Sequence, residues 1–206
     1  MLRLLVAMLL IYLHLLSACG MSAPLIIEDH QVRKTGLYEI SALTDAWVRS
    51  PLGIQEQWGL SPVVWDMTYV KCPDTQDISI LTARIKRQGF TPQDFESLVM
   101  DFYRHDNPFV KEILSYRTVQ VNMLQALEFQ YLTKNNGKRP TEFCSTGTAE
   151  NKPYKSKDII INAGFKKGFN GGHEIIILSY VAPLESSSES AREFDQMVKT
   201  FRLVSQ

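Results

Sequence analysis

Histidine and cysteine are scarce in this chain, and their scarcity limits the chemistry that the sequence can support. Four histidines and three cysteines occur in 206 residues, and no C-x-x-C pair is present. A zinc site needs several such ligands, so here it would have to recruit distant partners. Reactive thiols often sit beside a histidine, yet neither Cys72 nor Cys144 has one nearby in the sequence. We predict no metal, no cofactor and no catalytic residue.

Net charge is also missing, since 22 basic residues balance 22 acidic ones. Overall charge therefore argues neither for nor against an anionic partner. Basic stretches interleaved with aromatic residues, which nucleic-acid binding would need, are absent, and no nucleic-acid partner is expected. The glycine-rich stretch 164–172 precedes a predicted strand instead of a helix, so it does not predict a phosphate cradle. No G-x-S-x-G nucleophile motif occurs.

The first 18 residues differ in composition from the rest. Arg3 is followed by an apolar stretch, Leu4–Leu16, of the length of a secretory signal core. This stretch runs into Leu16-Ser17-Ala18-Cys19, which resembles the lipobox of bacterial lipoproteins. The resemblance implies a cleaved signal peptide over 1–18, acyl chains on Cys19, and a mature chain of residues 19–206 held on a membrane.

The alternative interpretations of this segment are a membrane-spanning helix and an ordinary signal peptidase site. Leu4–Ile27 carries no Asp, Glu, Lys or Arg and is long enough to suggest a membrane-spanning helix. The apolar part before Cys19 would reach only about 24 Å, short of a roughly 30 Å hydrocarbon core, and Pro24 also counts against a helix. An ordinary signal peptidase site is poorly placed, because Ser22-Ala23 is followed at once by that proline.

The residues after Cys19 bear on the membrane in which the protein is expected. The position directly after that cysteine is Gly20 and not Asp, which by resemblance to Gram-negative sorting rules implies the outer membrane facing the periplasm, if the cell is Gram-negative. In an oxidising compartment the two other cysteines, Cys72 and Cys144, form an even pair, and we predict a disulfide between them. Two separate buried thiols are the alternative.

The remainder predicts a single globular α+β domain over 37–206, joined to the anchor by a tether over 19–36. Trp65, Met67 and Tyr69 alternate along one predicted strand and are expected on one face. Residues 109–116 show no clear pattern. The strands predicted for a largely antiparallel sheet are Val63–Val70, Ile78–Ile85, Thr118–Leu132, Asp158–Phe165 and His173–Val181.

Two helices are expected to pack on this sheet. The first begins after Thr91-Pro92 and carries an apolar stripe of Phe95, Leu98, Val99 and Phe102. The second follows a capping-box pattern at residues 186–189, and a short edge strand is expected at the last residues, Phe201–Val204.

From Leu127 onward the order of elements resembles PsbP-like domains. The resemblance rests on patterning around EIIILSYVA, EFDQMVKTF and the terminal FRL. It implies an α/β/α sandwich and an accessory or assembly role, and it carries over no catalytic residues.

Other candidate residues are few. Asp101 and His105 stand four apart on the first predicted helix and could supply two metal ligands. A solvated helix end is the simpler explanation, because a third ligand is missing within reach and a histidine is favourable near a helix C-terminus. His173 stands beside Glu174. Residues 134–167 carry eight basic side chains against three acidic ones, which could form a basic rim near a membrane or an acidic protein, or serve solubility alone.

These observations lead to a hypothesis with two alternatives. The leading hypothesis is a lipid-anchored, non-enzymatic domain that binds or positions another protein of the cell envelope. One alternative is an envelope hydrolase whose site forms only in the fold, for example around His105, His173 and a carboxylate. The other is a carrier of a small apolar ligand. The oligomeric state is not predicted.

Overall fold

The computed structural model describes most of the chain beyond its first 23 residues. The segment 1–18, Cys19, Cys72 and Cys144 all lie outside the described residues, so the predicted acylation site and disulfide stay predictions. The described ranges are 24–28, 31–34, 36–41, 47–71, 76–85, 95–133, 154–166, 172–184 and 188–204.

Two antiparallel sheets make up the described fold. The small sheet has the order β1-β2-β3-β11, with β1 at Leu25–Glu28, β2 at Gln31–Lys34, β3 at Tyr38–Ser41 and β11 at Arg202–Leu203. The large sheet has the order β4-β5-β6-β10-β9-β8-β7. Its strands are β4 at Val48–Trp58, β5 at Ser61–Lys71, β6 at Gln76–Ile85, β7 at Val110–Val121, β8 at Leu124–Thr133, β9 at Tyr154–Lys166 and β10 at Gly172–Pro183.

The two faces of the large sheet are covered differently. Helix α1, Phe95–Asp101, continues as a π-helical turn, Phe102–Asp106, and buries its apolar stripe in a core on one face. Helix α2, Ser188–Thr200, buries Phe194 and Met197 in a second core on the other face, together with the small sheet. We call these two faces of the large sheet the α1 face and the α2 face.

The expectation of an α+β domain with packed helices is wrong, because the described fold is mostly β. Residues 25–58, in which no strand had been predicted, supply four strands. Much of the layer packed on the α2 face is therefore a second sheet instead of helices, and an α/β/α sandwich does not result. Two of the new strands, β1 and β2, lie inside the segment expected to be the tether.

A β-bulge in β5 overturns the predicted face pattern. Trp65 pairs with Leu81 and Met67 with Ile80, which leaves Asp66 as an extra residue on β5. Because a bulge interrupts the two-residue alternation, Trp65 packs in the core on the α1 face while Met67 and Tyr69 pack on the α2 face. The prediction that all three share a face is wrong.

The single strand predicted over Thr118–Leu132 is instead a hairpin, in which β7 and β8 meet at Asn122 and Met123. Predicted strands at β5, β6, β9 and β10 are confirmed, as are both helices and the terminal edge strand. Within the described ranges, no helix is long and apolar enough to cross a membrane.

Candidate functional site

A row of polar side chains crosses the large sheet on its α1 face. Thr68, Ser79, Ser179 and Asp158 occupy paired positions on the neighbouring strands β5, β6, β10 and β9. All four are buried, and the hydroxyls of Thr68 and Ser79 lie 3.2 Å apart. On β8 the row meets Phe129, so it ends against an aromatic residue.

The Asp158 carboxylate is the centre of this row. Its Oδ2 accepts hydrogen bonds from the phenols of Tyr103, at 2.7 Å, and Tyr131, at 2.9 Å. Its Oδ1 accepts from Ser156 Oγ, at 3.0 Å, and from Ser179 Oγ. Tyr103 reaches it from the π-helical turn. Two oxygens accepting four O–H donors use nearly all of a carboxylate's lone pairs, so this group serves the fold and has little capacity for a ligand.

A second buried carboxylate joins the two sheets. Asp66, the bulged residue of β5, lies 2.8 Å from Lys34 Nζ of the small sheet. Tyr38 and Thr82 also donate to it, each at 3.1 Å. Burial raises the pKa of the Asp66 carboxyl, although Lys34 opposes the shift. Burial likewise raises the pKa of the Tyr38 phenol. Here, too, side chains of the cluster itself make the hydrogen bonds to the buried carboxylate.

Charged side chains connect the β7–β8–β9 side of the sheet to helix α2. Arg117 of β7 donates to Glu128 of β8 at 2.9 Å, and Lys157 of β9 lies 3.8 Å from the same carboxylate and 2.6 Å from Asp195 of α2. Burial alone would raise the pKa of Glu128, but hydrogen bonds from Arg117 and Gln130 hold it below its usual value. The network fixes the position of α2 over this side of the sheet.

The open feature of the large sheet is its β7 edge. Among the described strands none pairs with β7 on the side away from β8. Most of its side chains are exposed on both faces, including Leu114 at 46% and Tyr116 at 47%. Tyr116 stacks on Phe129 at a ring distance of 5.6 Å, which holds its ring on the α1 face. An edge strand presents unpaired N–H and C=O groups that a further strand can bind.

The opposite edge, β4, is protected in a way that β7 is not. Pro51 has no N–H to donate, and a bulge interrupts the pairing between Pro51 and Ile54. Gly53 within that bulge has a φ of 63°. β7 also has two bulges, but its sequence contains neither proline nor glycine. The two edges therefore differ in their capacity to accept a strand.

The tip of the β7–β8 hairpin is held to the end of helix α2. Asn122 and Met123 both have positive φ, 47° and 66°, as a tight hairpin turn requires. The Asn122 amide donates to the carbonyls of Lys199, at 3.1 Å, and of Phe201. Met123 is 94% exposed. The edge strand is thus anchored at this end.

The structure does not bring the predicted histidines together. His105 lies 3.5 Å from Asp101 at the end of the first helix, where the histidine side chain is 67% exposed. His173 is buried against Phe95 at the beginning of that helix. Ten helical residues separate the two ends by about 15 Å. Among the described residues no three His, Cys, Asp or Glu side chains group as metal ligands would.

Most of the predicted basic rim lies outside the described residues. Of its eight basic residues, the structure describes the side chains of Lys155 and Lys157. Lys157 is directed toward Asp195 and Glu128 instead of forming an open rim. The β7 edge, in contrast, was missed in the sequence because its two bulges break the alternation over 109–116.

No family model matches the chain, and no curated protein matches it. Solved structures do. Cyanobacterial PsbP from Synechocystis is 12% identical, with a TM-score of 0.44 over 90% of this chain and 95% of that one. A Bacteroides thetaiotaomicron protein is 12% identical, with a TM-score of 0.42, and the chain spans 50% of its length. A Pseudomonas aeruginosa protein of unknown function is 10% identical, with a TM-score of 0.41 over 89% of this chain and 96% of that one.

The PsbP-like resemblance seen in the sequence is therefore found again, at a low level, among the structures. At these identities and scores the likenesses carry no argument about mechanism, and no residue role passes from them to this chain.

Proposed function

We propose that the protein is a lipid-anchored, non-enzymatic domain of the bacterial cell envelope that binds or positions another envelope component. The observation that carries the binding role is the β7 edge, which is long, exposed on both faces and free of proline. The lipobox ending at Cys19 supports the anchor. The proposed location, in a Gram-negative cell, is the outer membrane, facing the periplasm.

The buried polar groups have a structural role, and we therefore place ligand or partner binding on the surface. Asp158 accepts from four hydroxyl groups, and Asp66 is engaged by Lys34, Tyr38 and Thr82. A general acid or base must have a free position beside the reacting group. Neither carboxylate offers one, so we place the protein's activity at its β7 edge.

Acylation of Cys19 would decide where this edge works. Each buried methylene contributes about 0.8 kcal/mol, so one chain binds a bilayer marginally and two or more anchor it stably. Anchored copies are confined to a layer near the membrane, which raises their effective concentration toward partners in the same layer. The proposed disulfide between Cys72 and Cys144 belongs to the same oxidising compartment.

The anchor is tested by Cys19→Ser in the full-length chain expressed in a Gram-negative host. We expect the wild type to have an acylated, processed N-terminus by mass spectrometry and to remain in the membrane fraction. Cys19→Ser should lose the acyl mass and the processing. Cys72→Ser is the matched control and should keep both. Unaltered processing and mass in Cys19→Ser would refute the anchor.

The binding role is tested with a photo-crosslinking amino acid placed at Leu114 in intact cells. The control position is Glu96, which is exposed on helix α1. We expect crosslinks to a specific envelope protein, another copy of this chain included, from position 114 and not from position 96. Equal crosslinking from both positions, or none from either, would count against a docking edge at β7.

A further inference from the structure

The β7 edge has a pattern of faces that reads the same in both directions. Glu112, Ser115 and Arg117 lie opposite Leu132, Gln130 and Glu128 of β8, so they share the α2 face. Ile113 and Tyr116 lie opposite Tyr131 and Phe129 and share the α1 face, where Ile113 packs on the core. Leu114 is the extra residue of the bulge between Ile113 and Ser115.

In a two-fold antiparallel pair of identical strands, the residue numbers of opposed positions have a constant sum. An axis between Leu114 and Ser115 sets Glu112 opposite Arg117 of the partner subunit. It also sets Ile113 opposite Tyr116 of the partner subunit. The first pair joins opposite charges on the α2 face, and the second joins two apolar side chains on the α1 face.

Neighbouring registers lack this match. Moving the axis by half a residue toward the N-terminus sets Lys111 opposite Arg117 of the partner subunit, which are like charges. Moving it as far toward the C-terminus sets Ile113, on the α1 face, opposite Arg117 of the partner subunit, on the α2 face. Because opposed residues must share a face and like charges repel, the bulge at Leu114 favours the axis between Leu114 and Ser115 over these two neighbouring registers.

We propose that β7 pairs with β7 of a second copy of this chain, antiparallel and about a two-fold axis between Leu114 and Ser115. The Leu114 bulge of each copy then lies at the axis, and both strands bend at the same place. This inference rests on the proposed function in taking β7 as the docking edge, and it names a second copy of this chain as the partner that binds there. It does not require the lipid anchor.

The test uses charge reversal on the full-length chain in detergent, with sedimentation equilibrium as the measurement. Glu112→Arg sets two arginines opposite each other, and Arg117→Glu sets two glutamates opposite each other. Each variant alone should weaken the dimer by at least about tenfold. Mixing the two variants restores both opposite-charge pairs, so a heterodimer should form with an affinity near that of the wild type.

Lys111→Glu is the control on the same strand. It changes charge by as much, but it lies opposite Thr118 of the partner subunit and should leave the dimer intact. Arg117→Glu also faces Glu128 within its own chain, so circular dichroism must show that it folds. If Arg117→Glu does not fold, Glu112→Arg alone still decides the matter. Glu112 faces Leu132 across the β7–β8 pair, so its replacement breaks no ion pair between these two described strands.

Three results would overturn self-pairing: a wild-type monomer up to about 100 µM, an unweakened Glu112→Arg dimer, or no heterodimer in the mixture. A monomeric wild type that still crosslinks from position 114 to another envelope protein would overturn self-pairing and leave the binding function standing. A monomer without such crosslinks would overturn both.

Discussion

At the scale of single residues, Asp158 shows how a sheet accommodates a buried carboxyl group with hydroxyl donors. Its hydrogen-bond donors come from the π-helical turn and from three strands, β8, β9 and β10. A buried charge is tolerated only where hydrogen bonds replace its hydration. The four hydroxyl groups therefore have a structural purpose, which is to satisfy this buried carboxyl group inside the fold.

We expect Asp158→Asn to destabilise the protein by about 3 kcal/mol, because the amide nitrogen cannot accept from the hydroxyls that now donate to the carboxylate. Tyr131→Phe removes one of the four donors and should cost about 1 kcal/mol. Urea denaturation of both variants measures the difference. Equal losses in the two variants would contradict a shared acceptor at Asp158.

The sequence could not have predicted this cluster. Tyr103, Tyr131 and Ser179 are far apart along the chain, and each residue type is common in ordinary strands and helices. Their convergence depends on the register of β8, β9 and β10 and on the π-helical turn, none of which a hydrophobic pattern specifies. Once the register is known, the paired hydroxyls of Ser79 and Ser179 are the signal that locates the row.

At the scale of elements, the β7–β8 hairpin turns at a residue poorly suited to its conformation. Met123 has a φ of 66° and no burial that would compensate for it. Glycine adopts this region without a steric penalty, and Asn-Gly is the preferred sequence of such turns. The absence of glycine is also why the sequence predicted one long strand over Thr118–Leu132.

Met123→Gly should therefore stabilise the protein by about 0.5–1 kcal/mol. Met123→Ala keeps a Cβ at the same φ and should bring no such gain, so it serves as the matched control. Thermal or urea denaturation distinguishes them. A gain in the alanine variant equal to that in the glycine variant would show that the side chain, and not the backbone conformation, is at fault.

Elements with regular patterns were predictable and elements with interruptions were not. Leu127, Phe129 and Tyr131 alternate along β8 without interruption, and all three side chains lie in the core on the α1 face. The strands β1 to β3 have four residues each, too few for alternation to be distinguished from chance. In β5 and β7 the bulges shift the alternation, and in β5 this placed Met67 on the opposite face from Trp65.

At the scale of the whole molecule, the ion pair between Lys34 and Asp66 joins the two sheets. Burial raises the pKa of Asp66 in the folded chain, so the folded state holds its proton more tightly than the unfolded state. For such a group, stability falls as the pH rises from the ordinary aspartate pKa to the raised one. Lys34 limits this fall because its charge lowers the pKa.

Replacing Lys34 by methionine should raise the pKa of Asp66 further, and the fall in stability should then be larger and extend to higher pH. The free energy of unfolding, measured in urea across the acid and neutral range, gives both curves. Lys71→Met is the control, since Lys71 pairs with Glu193 and not with Asp66. Parallel curves for wild type and Lys34→Met would contradict the assignment.

The difference between the β7 and β4 edges of the large sheet would limit the number of copies that can join through it. Among the described strands, a pair joined through β7 has β4 at each outer boundary of the combined large sheet, and there Pro51 and the neighbouring bulge obstruct a further strand. Assembly through the large sheet would stop at the dimer, because a two-fold interface uses the β7 edge of both copies and leaves neither available for a third. The large sheet then offers no route to a filament, a safeguard that matters wherever many copies crowd one surface.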